Sequence, residues 1–211
     1  MKEILERYRF TIINLSLFLF LAPYVFRESL KAWNNWQTLG HVDWVDLAFF
    51  LHNMLLLSII IIRKDHVAVS RSYLDHFTAI FAFFSGLLFL EQVTENSNLL
   101  LISRTIIIIA LLTGMASLLN LGRSFGILVA LREFRTTGLY SVVRHPMYLT
   151  DILWKTGMIF KKPCPVNYMI FILTVSCYLF RASREEVFLS QWKEYREYRE
   201  KVKYRFIPWI Y

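Results

Sequence analysis

Residues 99–119 read LLLISRTIIIIALLTGMASLL, and this stretch decides the class of fold. Its one charged residue is Arg104. The hydrocarbon core of a bilayer is about 30 Å thick, and roughly 20 apolar residues in an α-helix cross it. A helix also satisfies its own backbone polar groups where no water is present. The stretch therefore predicts a transmembrane helix.

Three blocks of the same kind precede it, at 8–26, 44–62 and 74–92. Over the whole chain, 56% of the residues are hydrophobic, which exceeds the usual content of a soluble domain. The first block is longer than the core of a signal peptide and lacks a small-residue cleavage site, so we expect it to remain as a span. Region 1–119 is thus predicted to be a bundle of four full spans.

Two further apolar segments, 147–160 and 165–182, follow the bundle. The first is short for a crossing. The connection between them contains Pro163 and Pro165 and is long enough only for a tight turn. The sequence therefore predicts a helical hairpin over 147–182.

The remaining segments, 120–148 and 183–211, are predicted to form a cap at one membrane surface. The predicted fold class is an all-α, polytopic membrane bundle with four full spans, a carboxy-terminal hairpin and a cytoplasmic cap. Within the second segment, Trp192, Tyr195 and Tyr198 recur every three residues and share one helix face, which indicates packing against the cap or the membrane interface.

Basic residues predict the orientation of the bundle. The net charge is +8, and segment 93–98 contains no Lys or Arg. Cytoplasmic loops carry an excess of Lys and Arg, so the amino terminus, the cap and the carboxy terminus are expected on the cytoplasmic side of the membrane. Segment 27–43 is then external despite Arg27 and Lys31. The basic residues that flank the early spans are Lys2, Arg7, Arg9, Arg63, Lys64 and Arg71.

The basic charge does not indicate a nucleic-acid partner. Base stacking on aromatic side chains needs an open cationic groove, and the glutamates interleaved with the tail tyrosines oppose one. The partners predicted are the bilayer itself and a lipid or lipophilic small molecule. Cys164 and Cys177 have no metal-ligand spacing, and no combination of His, Cys and carboxylate predicts a metal site.

The segment Arg144-His145-Pro146-Met147-Tyr148 lies where the cap meets the hairpin. Proline suits the first turn of a helix, so His145 is expected at the junction. The free N–H groups at a helix start and the positive end of its dipole favour an anion, and Arg144 adds a charge. The segment thus predicts a site for a carboxylate or phosphate. The alternative is that Arg144 and His145 are ordinary interfacial residues at the start of a span.

The segment Ser183-Arg184-Glu185-Glu186 follows the last apolar stretch. Two adjacent carboxylates near a membrane surface favour a cationic partner or donors such as ribose hydroxyls. The alternative is a capping box, in which Ser183 and Glu186 begin a new helix.

Polar residues within the spans are further candidates because burying them in hydrocarbon is costly. His52 and Asn53 lie near mid-span, where they line a cavity or form hydrogen bonds between helices. Asp151 and Lys155 are four residues apart in the hairpin, so we expect them to neutralise each other.

Several segments together resemble the isoprenylcysteine carboxyl methyltransferase family, in particular its short prokaryotic members. That family is similar to the catalytic half of the phospholipid methyltransferases. The segments that carry the resemblance are Leu121-Gly122-Arg123-Ser124-Phe125-Gly126, Thr137-Gly138-Leu139-Tyr140, Val143-Arg144-His145-Pro146-Met147-Tyr148, Glu185-Glu186 and Arg205-Phe206-Ile207-Pro208.

The resemblance implies an S-adenosylmethionine-dependent methyltransferase that acts on a lipophilic or membrane-embedded acceptor. A prenylated cysteine carboxylate, a phospholipid amine and a small lipophilic acid or thiol all fit as acceptor. The residues implied for cofactor binding are Tyr140, His145, Pro146, Tyr148, and one of Glu185 or Glu186.

The chemistry of the residues agrees with that implication. The cofactor carboxylate matches the anion site at 144–148, and its ribose and ammonium match the carboxylates at 185–186. Arg144 is the candidate catalytic residue, orienting a carboxylate or phosphate of the acceptor, and cofactor binding is its alternative role. The resemblance further implies that region 1–119 gives access to the acceptor and that region 120–211 carries catalysis and cofactor binding. It also implies a prokaryotic inner membrane as the location. Two alternatives stay open, namely an NADPH-dependent membrane reductase of the sterol-reductase type and a non-enzymatic membrane protein with a remnant pocket.

Overall fold

The computed structural model describes residues 2–41 and 43–210, and of residues 2–10 and 39 it describes the backbone alone. Tyr211, the last residue of the predicted cap, lies outside this description. So do the side chains of Lys2, Arg7 and Arg9, which were used above to predict orientation. The helices are α1 Lys2–Leu39, α2 Trp44–Ile62, α3 Tyr73–Phe84, α4 Ser97–Leu121, α5 Pro146–Lys161, α6 Pro165–Leu189 and α7 Lys193–Lys201. The strands, β1 Ala68–Val69 and β2 Ala130–Leu131, pair antiparallel.

Four of these helices, α1, α2, α4 and α6, are long and apolar enough to cross a membrane. The chain is therefore a multi-pass membrane protein, and the predicted all-α bundle is confirmed. The second predicted span, 44–62, coincides with α2, and the fourth, 99–119, lies within α4. The four long helices therefore include α6, which was predicted as part of the hairpin, and they do not include the helix within the predicted span 74–92.

The third predicted span, 74–92, is wrong as a continuous helix. Helix α3 ends at Phe84, and a 3₁₀ segment, Ser85–Leu88, follows. A Cβ at Gly86 would lie 2.7 Å from the ring of Trp154, so glycine is needed for this close approach of two segments. Glycine also disfavours a helix interior, which explains the early end.

The segment from α3 nevertheless extends beside most of α6. At one end Asp75 pairs with Arg184 at 2.9 Å, and at the other the backbone of Leu90 exchanges two hydrogen bonds with the Asn167 amide. Residues 167 and 184 are about 26 Å apart at 1.5 Å per residue. A short helix, a 3₁₀ turn and an extended stretch thus cover a length close to the hydrocarbon thickness.

The first helix is longer than the predicted span 8–26. It continues to Leu39, so most of the predicted external segment 27–43 is helical. Arg27 and Lys31 both contact Glu28 at 2.9 Å. Glu28 offsets part of the positive charge of Arg27 and Lys31, and it lies three residues before Lys31 on the same helix face.

The predicted hairpin is confirmed. Helices α5 and α6 are joined by the short turn at 162–164, and α5 packs extensively along α4. A Cβ at Gly157 would lie 2.5 Å from the Ile107 side chain, and the Ser103 hydroxyl donates to the Gly157 carbonyl. The predicted ion pair between Asp151 and Lys155 is present within α5.

Helix α6 continues through Ser183 and Glu186 to Leu189, so the capping-box interpretation is wrong. The Ser183 hydroxyl instead accepts a hydrogen bond from Arg205. The two adjacent carboxylates are consequently on a helix that runs out of the bundle, and the helical rotation of about 100° per residue sends them in different directions.

The cap covers the bundle end where α2, α4 and α6 finish and α5 begins. The carboxy-terminal segment lies against the motif segment, because the amides of Arg144 and His145 donate to the carbonyls of Tyr204 and Arg205 at 2.9 Å. The Tyr198 hydroxyl donates to the Tyr140 carbonyl at 2.7 Å. As predicted, the tyrosine face of the tail is a packing face, in a buried cluster made of Leu131, Leu189, Tyr195, Tyr198 and Val202.

Candidate active site

The site begins at the first residue of α5. Pro146 occupies the first turn as predicted, and His145 precedes it with φ −125°. The two amides before the helix are already engaged by the carbonyls of Tyr204 and Arg205. Any anion at this helix start is therefore held by side chains and by later amides of the first turn, and not by the amides of 144 and 145.

Glu186 is the centre of a buried ionic network. It is 2% exposed, and its carboxylate contacts Arg144 at 2.8 Å, Arg205 at 2.9 Å and the His145 ring at 3.2 Å. Arg144 also donates to the carbonyls of Val202 and Lys203. Removing a carboxylate from water is costly, and several charge-assisted hydrogen bonds offset that cost. Glu186 thereby joins α6, the motif segment and the carboxy-terminal segment.

Glu185 points in a different direction, into the main cavity of the described chain. The Tyr148 hydroxyl donates to its carboxylate, so helices α5 and α6 are linked at this point. The rings of His145 and Tyr148 are stacked with centroids 5.1 Å apart, and Tyr148 stacks in turn on Tyr178 at 5.0 Å. Of the two adjacent glutamates, Glu185 lines this cavity and Glu186 does not.

The cavity encloses about 280 Å³, close to the lower limit of small-molecule sites. Of the seven residues predicted for the site, it brings five together. Neither Pro146 nor Glu186 lines it, and both are buried behind it. The predicted residues that line the cavity are Tyr140, Arg144, His145, Tyr148 and Glu185.

The cavity has two parts of different character. We call the part within the cap and the adjoining ends of α5 and α6 the cap half, and the part between the membrane helices the membrane half. The cap half contains most of the charged groups and tyrosines of the cavity, beside apolar residues such as Phe125, Leu131, Phe134 and Leu189. Its charged groups, histidine and tyrosines are Arg132, Glu133, Arg135, Tyr140, Arg144, His145, Tyr148, Arg181, Glu185, Tyr195 and Tyr198. The membrane half is mostly apolar and includes Leu21, Phe49, His52, Leu56, Phe83, Leu111, Asp151, Trp154 and Lys155.

Arg181 is a cap-half residue that sequence reasoning did not assign to the site. It is 4% exposed, its guanidinium lies 4.8 Å above the Tyr148 ring, and its Nε is buried without a hydrogen-bond partner in the described chain. The sequence predicted that the apolar segment ends at 182, which separated Arg181 from Glu185. Its position four residues before Glu185 would have placed both on one helix face.

Two other buried donors in the cap half lack partners among the described residues. They are the Arg135 Nε and the Tyr195 hydroxyl. Burial raises the pKa values of Tyr140, Tyr195 and Tyr198, so these hydroxyls remain protonated and able to donate. Buried donors without partners are costly, which indicates that a ligand with acceptor oxygens completes this half.

Arg132 closes the cap half from the loop side. Its Nε donates to the Lys64 carbonyl at 3.1 Å, and its guanidinium lies against Gly126 where any Cβ would collide. Burial lowers the pKa of Arg132, while the nearby carboxylates of Asp65 and Glu185 act in the opposite direction. Over residues 2–41 and 43–210, no group of three or more potential metal ligands is found.

Comparison with known proteins identifies the family. The family model for phospholipid methyltransferase matches residues 96–196. Protein-S-isoprenylcysteine O-methyltransferases A and B from Arabidopsis thaliana are 31% and 30% identical to this chain over 175 residues, which cover 77% of this chain and 84% of each relative. These matches favour methyl transfer over both the reductase and the non-enzymatic alternative. The chain belongs to the isoprenylcysteine carboxyl methyltransferase family and is an integral membrane methyltransferase that acts on a lipophilic acceptor.

Proposed function

We propose that this enzyme binds S-adenosylmethionine in the cap half of the cavity and methylates a lipid that enters the membrane half from the bilayer. The observation that carries the proposal is the continuity of the cavity. One space is lined by Glu185 and Tyr140 in the cap and by Phe49 and Leu111 between the membrane helices. A polar donor and an apolar acceptor can therefore meet without passing through water.

The cap half fits the polar groups of the cofactor. Glu185 would accept hydrogen bonds from the ribose hydroxyls or the ammonium group, and the donors of Arg135 and Tyr195 would bind the carboxylate. Tyr140, His145 and Tyr148 would form the aromatic wall. When bound, the cofactor supplies a methyl group on a sulfonium.

Pro146 and Glu186 would act indirectly. Pro146 fixes the start of α5 and hence the position of Tyr148. Glu186 holds Arg144 and the His145 ring in place through the buried network. Both are positioning residues in this proposal and do not touch the ligand.

Arg144 and Arg181 are the candidates for orienting an anionic group of the acceptor. Nε and Nη1 of Arg144 are engaged by Glu186 and two carbonyls, which leaves Nη2 as its donor. The guanidinium of Arg181 makes no hydrogen bond or salt bridge to any described residue and stacks on Tyr148. Methyl transfer from a sulfonium disperses positive charge, so a dry site that aligns the acceptor supplies much of the acceleration.

The cap is proposed to face the cytoplasm of a prokaryotic cell. The loop between α2 and α3 lies at the cap end, because the Lys64 amide donates to the Arg123 carbonyl. At the opposite end, segment 93–98 has no basic residue, and Lys162 and Arg104 are paired with Glu91 and Asp43. The excess of unpaired Lys and Arg at the cap end fits cytoplasmic orientation.

The test is transfer of an isotopically labelled methyl group. Membranes from cells that express the full chain are incubated with S-adenosylmethionine labelled in its methyl group, and the extracted lipids are analysed by mass spectrometry. The proposal predicts a labelled lipid that is absent from membranes without the protein. Thermal stabilisation of the purified chain by NADPH, with none by S-adenosylmethionine or its demethylated product, would contradict it.

A further inference from the structure

The membrane half contains a polar cluster that the proposed reaction does not use. It consists of His52 on α2, Asp151 and Lys155 on α5, and Tyr178 on α6, all of which line the cavity. We propose that this cluster binds a neutral hydrogen-bonding group, an ester or amide carbonyl or a hydroxyl, in the body of the lipid acceptor. The inference rests on the proposed function and narrows its acceptor to lipids that are not pure hydrocarbon below the head group.

Lys155 and Asp151 form the centre of the cluster. Lys155 is 1% exposed, pairs with Asp151, and has its ammonium 5.6 Å and 5.8 Å from the ring centroids of Trp154 and Tyr178. The Asp151 side chain is 30% exposed and borders the cavity. An ion pair inside a membrane protein needs further hydrogen bonds to offset desolvation, and it commonly marks a ligand pathway.

His52 strengthens the case because its ring has no hydrogen bond to any described residue. Its Nε2 lies beside Gly114, where a Cβ would be 3.1 Å away, and the Thr150 hydroxyl lies 3.7 Å from the same Cβ position. The Thr150 hydroxyl donates instead to the Met147 carbonyl. The usual reason for a polar residue within a membrane helix is a hydrogen bond to another helix, and His52 lacks one.

The depth and charge of the cluster define the group that it recognises. Tyr178 is seven residues before Glu185 on α6, a rise of about 10 Å at 1.5 Å per residue, and its ring borders the cap half where it stacks on Tyr148. Lys155 and Asp151 neutralise each other, so the cluster favours a neutral polar group over a second charge. A tail made only of hydrocarbon would desolvate this ion pair and the His52 ring without adding the hydrogen bonds that offset the cost.

The experiment compares two probes that differ by one hydroxyl group. Binding of hexadecanoic acid and of hexadecanoic acid hydroxylated on its tenth carbon is measured by equilibrium dialysis with the full chain in one detergent. In an extended chain this hydroxyl is about 10 Å from the carboxylate, which matches the rise along α6 from Glu185 to Tyr178. The variant Asp151→Leu with Lys155→Met removes both charges together, and so leaves no lone charge behind.

The matched control is Glu91→Gln with Lys162→Met, which removes an ion pair that does not line the cavity. His52→Leu is the second variant and carries the same test if the double variant fails to fold. Binding of S-adenosylmethionine is measured on every protein. Because all proteins are compared in the same detergent, the difference in micelle partitioning between the two acids cancels.

The ratio of the affinity for the hydroxylated acid to the affinity for the plain acid is compared between proteins. We expect this ratio to be at least about fivefold higher in the wild type and the control than in the Asp151 and Lys155 variant, equivalent to about 1 kcal/mol for one hydrogen bond. Affinity for S-adenosylmethionine should change less than about twofold in that variant. Equal discrimination in wild type and variants overturns the inference. Discrimination without any binding of S-adenosylmethionine by the wild type overturns the proposed function and leaves this site standing.

Discussion

The cap half and the membrane half of the cavity are held in shape by different interactions. In the cap half, side chains are fixed by ions and hydrogen bonds, with Glu186 holding Arg144, His145 and Arg205. In the membrane half, the walls are set by close packing at glycines, as where Gly86 meets Trp154. The hydrophobic effect does not drive helices together within a bilayer, so small residues that allow close approach take its place.

This difference predicts which property each half controls. Loss of an ionic contact in the cap half leaves buried charges unpaired and affects the whole cap. Loss of space in the membrane half moves a side chain into the cavity and affects the acceptor. Substitutions in the two halves therefore separate stability, cofactor affinity and acceptor choice.

The largest effect is expected for Glu186→Ala. It leaves the guanidinium groups of Arg144 and Arg205 without their carboxylate in a buried setting, which typically costs about 3–5 kcal/mol. The melting temperature of the purified chain should fall sharply. Glu200→Ala on the exposed side of α7 is the control and should melt like the wild type. A Glu186→Ala protein with an unchanged melting temperature would show that the network contributes little.

Gly157→Ala and Gly86→Ala form a matched pair with different expected outcomes. At Gly157 the new methyl group meets the Ile107 side chain and the nearby Ser103 backbone, so we expect a loss of about 1–3 kcal/mol in stability. At Gly86 it meets only side-chain atoms, foremost the end of the Trp154 ring, which can turn into the cavity. Gly86→Ala should thus reduce acceptor binding more than stability. Melting curves and acceptor binding test the pair, and the opposite order would contradict the packing argument.

Arg181→Met should weaken the cap half without unfolding it. The guanidinium contacts the Tyr148 ring and no described carboxylate, so its removal breaks no ion pair. We expect kcat/KM to fall about tenfold, equivalent to about 1.4 kcal/mol. Arg199→Met, at an exposed position of α7, is the control. Equal activity of the Arg181 variant and the control would remove Arg181 from the site.

Two of the long apolar blocks, 44–62 and 99–119, were predicted well because membrane thickness fixes helix length. The second span, 44–62, agrees with α2 at both ends, where Asp43 caps the start and Arg63 follows the end. The motif segment was also predicted well, since proline defines the start of α5. These features depend on local sequence and on a general property of the bilayer.

Features that depend on distant contacts could not be predicted. Gly86 weakens a helix locally, but the close approach of Trp154 that requires glycine there joins two residues that are far apart in the chain. Arg181 was not assigned to the site because the predicted helix ended at 182, whereas α6 continues through Glu185 to Leu189. The different contacts of Glu185 and Glu186 could not be predicted either, because Glu186 pairs with Arg205 in the carboxy-terminal segment.

The central claim is that Glu185 faces the methyl donor while Glu186 maintains the cap. Saturation binding of labelled S-adenosylmethionine to purified wild type and Glu185→Gln tests it most directly, with melting temperatures measured in parallel. The account predicts saturable binding to the wild type and an affinity at least about tenfold lower, or about 1.4 kcal/mol, in a Glu185→Gln protein that melts normally. Unchanged affinity in that variant, or no saturable binding to a folded wild type, would contradict the account.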